Sequence, residues 1–216
     1  MIILRVLARR LRTLTWVGFL LLVASGLANA SSDKSAIVVL GDSISAAYGI
    51  DLEEGWVALL AARIEQERMP YTVVNASISG ETSAGGLRRL PALLEAHQPG
   101  VVIIELGGND GLRGYPIGQL QSNLRDMISL SETSEAQVLL LPMEIPPNFG
   151  KFYTDAFRAS FQNAIEGSQA VLGDFPLTDV ALKPALMQSD GIHPTAVAQP
   201  IILESVWQNL SQLLLP

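Results

Sequence analysis

The 216-residue chain contains no cysteine. That excludes disulfides, thiolate-held zinc or iron–sulfur centres, a thiol nucleophile and a lipid anchor on cysteine. Histidine is almost absent, with His97 and His193 the only two. A multi-histidine metal site is therefore impossible, and a histidine base has two candidates. Positive charge is scarce: 14 Lys and Arg stand against 21 Asp and Glu, a formal net charge of −7. This balance argues against a nucleic-acid partner, whose phosphates call for a basic patch.

The few positive charges are unevenly placed. Arg5, Arg9, Arg10 and Arg12 precede an apolar run from Leu14 to Val23, and small residues follow up to Ala28-Asn29-Ala30. That order is the one found in secretory signal peptides. The run is too short for the ~20 residues of a spanning helix. Export with cleavage after Ala30 is expected, leaving residues 31–216 as one domain in the periplasm or outside the cell, without stable membrane insertion. The remaining 186 residues carry 10 basic and 21 acidic side chains, net −11. The mean hydropathy of +0.32 is inflated by the leader. No internal repeat or long linker interrupts the rest.

Along the chain, Ala36–Leu40, Tyr71–Val74, Val101–Leu106 and Gln137–Leu141 are short apolar runs that read as buried strands, with a weaker fifth at Ala170–Leu172. Helices are expected over Trp56–Glu67, from Thr82 or Ser83 to His97, over Ile117–Ser134 and Tyr153–Gly167, and over Thr195–Leu214. Strands alternating with helices predict a parallel sheet covered on both faces, a three-layer α/β/α architecture. Ligands of such sheets bind beyond the carboxyl ends of the strands. Three strands stop there at small polar residues: Asp42-Ser43, Ser79-Gly80 and Asn109-Asp110.

Ser43 follows the first strand and reads either as an exposed nucleophile or as a turn serine. Asp190 precedes His193 by three residues. In a tight loop the carboxylate can hold one imidazole nitrogen while the other takes a proton. The alternative is a capping aspartate beside an incidental histidine. Asn109 follows two glycines, and its amide can donate to an oxyanion; Gly80 can offer a backbone N–H. His97, at a helix end, is the competing base. Asp110 is a second acid or a helix cap, and Arg113 is a surface charge or a contact for an anionic head group. Asn75-Ala76-Ser77 matches the glycosylation pattern at a strand end and is read as accidental.

Taken together, Gly41-Asp42-Ser43, Gly80, Gly107-Gly108-Asn109-Asp110 and Asp190-Gly191-Ile192-His193 resemble the four signature blocks of the SGNH, or GDSL, hydrolases. Flanking stretches such as Val74–Gly80, Glu105–Gly114 and Met187–Pro194 extend the likeness over the whole mature chain. The resemblance implies a flavodoxin-like parallel sheet of about five strands. It implies Ser43 as nucleophile, His193 as base and Asp190 as its partner, with an oxyanion hole from Ser43, Gly80 and Asn109. It implies hydrolysis of fatty acyl esters and thioesters, with no metal or organic cofactor and a monomeric enzyme acting on a small-molecule substrate. Asp42 is expected at the substrate. Ile145, Pro146, Phe149 and Phe152 supply apolar surface in a loop at the carboxyl edge of the sheet, and either line an acyl groove or pack the loop onto the domain. Other readings are a carbohydrate or small-ester acetylesterase of the same fold, and a non-catalytic exported binding module.

Overall fold

The structure, a computed structural model, describes residues 35–214. The expected export signal lies outside the described residues. All described elements fall within one compact unit, Lys34–Pro216.

Strand β1 (Ser35–Gly41) is buried from Ala36 onward, and β3 (Val101–Glu105) is buried throughout. Continuous apolar runs of this kind belong to strands covered on both faces. With β2 (Tyr71–Asn75), β4 (Gln137–Leu140) and β5 (Val171–Leu172) they form a five-stranded sheet of order β2-β1-β3-β4-β5, every pair parallel. Edge strand β2 is only half-buried.

Helices cover both faces. Helix α1 (Trp56–Gln66) packs against α6 (Gln199–Leu213), while α4 (Ile117–Thr133) packs against α2 (Ser83–His97) and α5 (Lys151–Ala164). Thr82 caps α2 by accepting the Gly85 N–H at 3.2 Å, the capping expected of threonine at that position. Trp56, Phe157 and Phe161 are the largest fully buried side chains. The two phenylalanines meet edge to face, their centroids 5.3 Å apart. Among the described residues, no helix is long and apolar enough to cross a membrane.

Two departures from the sequence expectation have local causes. The closing helix starts at Gln199 rather than Thr195, after a 3₁₀ turn at Ala196–Ala198. This leaves Pro200 in the first turn, where its missing N–H costs nothing. A short helix, α3 (Gly108–Leu112), occupies a stretch whose glycines read as loop. It begins at Gly107, whose φ of +116° is open to glycine and strained for other residues. A Cβ there would also lie 3.0 Å from Phe161.

The core predicts the response to truncation. Ile103, fully buried in the middle strand, should cost ~2–5 kcal/mol of unfolding free energy when changed to alanine. Urea titration measures this; a loss below ~1 kcal/mol, the range of surface changes, would contradict the packing.

Candidate active site

β1 and β3 are neighbours whose chains continue to opposite sides of the sheet, which leaves a crevice at their carboxyl ends. Ser43 stands there, half-buried. The turn carrying it is closed by Asp42, whose Oδ1 accepts the Ile44 N–H at 3.0 Å, and by the Ala46 N–H donating to the Asp42 carbonyl at 2.9 Å. Gly41 has no room for a side chain. A Cβ would lie 2.7 Å from both Glu105 Oε2 and Ser45 Oγ.

The loop before α6 brings Asp190 and His193 to the same mouth. Asp190 Oδ1 accepts the backbone N–H groups of Ile192 (2.9 Å) and His193 (3.0 Å), and Oδ2 lies 2.6 Å from His193 Nδ1. The His193 hydrogen bond, followed by those two N–H groups, holds the Asp190 carboxyl well below the usual carboxylate range. An ionised carboxylate only accepts, so Nδ1 carries the proton and Nε2 presents its lone pair. Nε2 lies 2.9 Å from Ser43 Oγ, which donates to it. This row can draw a proton from Ser43 and hold the resulting imidazolium opposite a fixed negative charge.

Gly80, after β2, and Asn109, in α3 after β3, flank Ser43 because β1 lies between those strands. The Ile78 N–H donates to the Gly41 carbonyl at 3.1 Å, tying the Gly80 loop to the Ser43 turn. Asn109 Nδ2 donates to Asp42 Oδ2 at 3.0 Å. That bond uses one amide hydrogen and leaves the other for a ligand. Arg113 Nη2 donates to the Gly80 carbonyl at 3.0 Å.

The residues expected at the substrate differ in their surroundings. Asp42 is buried, and its carboxylate accepts from the Ile44 N–H and the Asn109 amide, which positions the turn. Ile145 belongs to the core and fills the space beside Gly111. Phe152 is 91% exposed. Phe149 is partly buried and stacks on Tyr153, and Pro146 is exposed beside it.

The competing acid–base candidates fall elsewhere. His97 is exposed at the end of α2, next to the amino end of β3. Asp110 is buried and accepts the Ser83 N–H (2.9 Å) and Ser83 O–H (2.6 Å), joining α2 to the Asn109 loop. Asn75 is engaged internally, donating to the Ser45 carbonyl at 2.8 Å and accepting from the Ser77 N–H at 3.1 Å.

Three residues were not singled out from sequence. Glu105 is fully buried at the end of β3; its Oε2 accepts from the Asp42 N–H (3.2 Å) and the Ser45 hydroxyl (2.7 Å). A carboxylate closing an otherwise apolar strand was the available signal. Gln188 Nε2 donates to the carbonyls of Tyr48 (2.7 Å) and Pro194 (2.9 Å), clamping the Ser43 segment to the His193 loop. Tyr48 covers the His193 ring, centroids 4.3 Å apart. Neither has a sequence signal of its own, since both depend on which loops meet. Burial pushes the Asp42 carboxyl up to about 6. Burial and then the Asp42 charge push Glu105 well above its usual value. Both carboxyls are thus held towards the neutral form by burial.

Comparison with known proteins gives a consistent family. Residues 39–199 match the family model described as the GDSL-like Lipase/Acylhydrolase family. The chain is 51% identical over 178 residues to Esterase TesA of Pseudomonas aeruginosa, covering 82% of this chain and 89% of that protein. It is 42% identical over 195 residues to Thioesterase 1/protease 1/lysophospholipase L1 of Escherichia coli K12, covering 90% and 91%. A crystal structure of TesA superposes with a TM-score of 0.81 at 50% identity, covering 83% of this chain and 100% of that one.

The buried pair yields a titration test. Because the folded protein raises the Asp42 carboxyl from 3.8 to about 6, it binds that proton more tightly than the unfolded chain does. Asp42 therefore contributes most stability below about 4 and progressively less as pH rises towards 6. The ¹³C carboxyl resonance of Asp42 should titrate near pH 6, and a midpoint near 4 would contradict the effect of burial on this carboxyl.

Proposed function

The chain belongs to the GDSL-like lipase/acylhydrolase family, and from that membership we propose that it is a serine hydrolase of fatty acyl esters and thioesters, with Ser43 as nucleophile. The observation that carries the assignment of roles is the unbroken row from Asp190 through His193 to Ser43. Ser43 Oγ attacks the acyl carbonyl carbon while His193 Nε2 takes its proton. Charge then develops on the carbonyl oxygen, where the N–H groups of Ser43 and Gly80 and the free Asn109 amide hydrogen donate. Removing one such donor typically costs ~3–4 kcal/mol of transition-state stabilisation. The carbon–oxygen or carbon–sulfur bond breaks, and the leaving group takes the proton from His193. Water repeats the sequence and frees the acid, so the cycle consumes no cofactor.

The names of the relatives, esterase and thioesterase/lysophospholipase, support carboxylic ester and thioester substrates. The leader-like residues 1–30 support export, with residues 31–216 as the mature monomer. Acyl-CoA is a cytoplasmic compound, so lysophospholipids and other single-chain esters suit an exported enzyme better. Pro146 and Phe149, on the loop after β4, are the proposed border of the acyl chain.

The test is hydrolysis of p-nitrophenyl esters of graded chain length beside a lysophospholipid and an acyl-CoA. Turnover of long-chain substrates is expected, and Ser43→Ala should abolish it while keeping the far-UV circular dichroism of the fold. Wild-type-like turnover by Ser43→Ala would remove Ser43 from its role, and strict acetyl preference would overturn the acyl-chain reading.

A further inference from the structure

Large apolar side chains are exposed mainly at one end of the described structure. Tyr48, Ile78, Tyr115, Leu182 and Ile192 lie in connections that leave the carboxyl ends of strands, and Phe152 lies in the first turn of α5 after such a connection. Leu130, near the end of α4, stands at the opposite edge. Phe152 and Leu182 differ from the rest: they are 91% and 93% exposed. A side chain lining a groove would be partly covered, and these two are almost bare.

Their sequence neighbours add a second observation. Lys151 precedes Phe152, and Lys183 follows Leu182; these are the only lysines in residues 35–214. Lys151 pairs with Asp155 at 2.5 Å but stays 88% exposed. A bare apolar side chain beside a lysine suits a lipid surface, with the apolar group among acyl chains and the ammonium at the phosphates.

Part of this edge adjoins the site. Ile192 adjoins His193, whose ring Tyr48 covers. Tyr153, next to Phe152, donates to the Tyr115 carbonyl at 3.0 Å. Overall charge selects the kind of lipid. Residues 35–214 hold nine basic and 20 acidic side chains, net −11, so an anionic bilayer repels the body of the protein. Zwitterionic lipid offers phosphate to the lysines without that repulsion.

We infer that the carboxyl edge of the sheet is an interfacial docking surface, on which Phe152 and Leu182 enter a zwitterionic phospholipid layer while Lys151 and Lys183 meet its phosphates. The inference builds on the acyl-hydrolase reading, since docking would bring the Ser43 mouth to single-chain lipid esters, but vesicle binding is measured without turnover.

The experiment uses the chain from Ser31, which contains the compact unit Lys34–Pro216, and its Phe152→Ser/Leu182→Ser variant. Both are floated with phosphatidylcholine vesicles and assayed on lysophosphatidylcholine micelles and on a water-soluble short-chain ester. The wild type should bind the vesicles. The variant should bind at least tenfold more weakly, since even part of the burial of two large apolar side chains amounts to that, with a matching rise in apparent KM on micelles. Turnover of the soluble ester should be equal in both, which also shows that the variant is folded. Equal vesicle binding by the two proteins, or no binding by the wild type, overturns the inference. A wild-type dimer that the variant fails to form also overturns it, by assigning the patch to a second copy. Absence of soluble-ester turnover in the wild type would instead overturn the hydrolase reading.

Discussion

An ionised carboxylate accepts hydrogen bonds and cannot donate them. That constraint, applied at the 2.6 Å contact between Asp190 and His193, organises the rest of the site. It places the imidazole proton on Nδ1 and turns the Nε2 lone pair towards Ser43. Asp190 can serve in this way because two backbone N–H groups hold its other oxygen and keep it ionised. The loop therefore sets the charge state of the acid as well as its position.

The opposite wall of the crevice depends on a second carboxyl, with the reverse electrostatics. Glu105 ends a strand fully buried, and its oxygen receives the Asp42 N–H and the Ser45 hydroxyl, on either side of Ser43. Asp42 in turn receives the Asn109 amide. The strand that delivers Asn109 thus also anchors the Ser43 turn. Gln188 ties that turn to the His193 loop. The chain joins three loops from distant parts of the sequence through polar contacts, in keeping with the need for fixed geometry at a reacting centre.

Much of this was legible in the sequence for physical reasons. The strands of a doubly covered parallel sheet are uninterrupted apolar runs, so Ala36–Leu40 and Val101–Leu106 declared themselves. The small polar residues at their ends marked the mouth of the sheet. The Asp190–His193 spacing anticipated a contact that local loop geometry can make unaided. Long-range contacts were not legible. Asp42 and Ile145 were expected at the substrate but are buried, because a short polar or branched side chain after a strand can turn either way. Only the packing of Asn109 and Gly111 decides which. Phe152, whose loop was open to a groove or to packing on the domain, is instead exposed.

Covalent catalysis by Ser43 requires an acyl-enzyme, which can be trapped. A slowly hydrolysed long-chain ester would be mixed with the enzyme, quenched in acid during turnover and digested for mass spectrometry. The peptide containing Ser43 should gain one acyl group, with loss of one hydrogen. An acyl group on another residue, or turnover with no adduct at Ser43 when deacylation is rate-limiting, would contradict it.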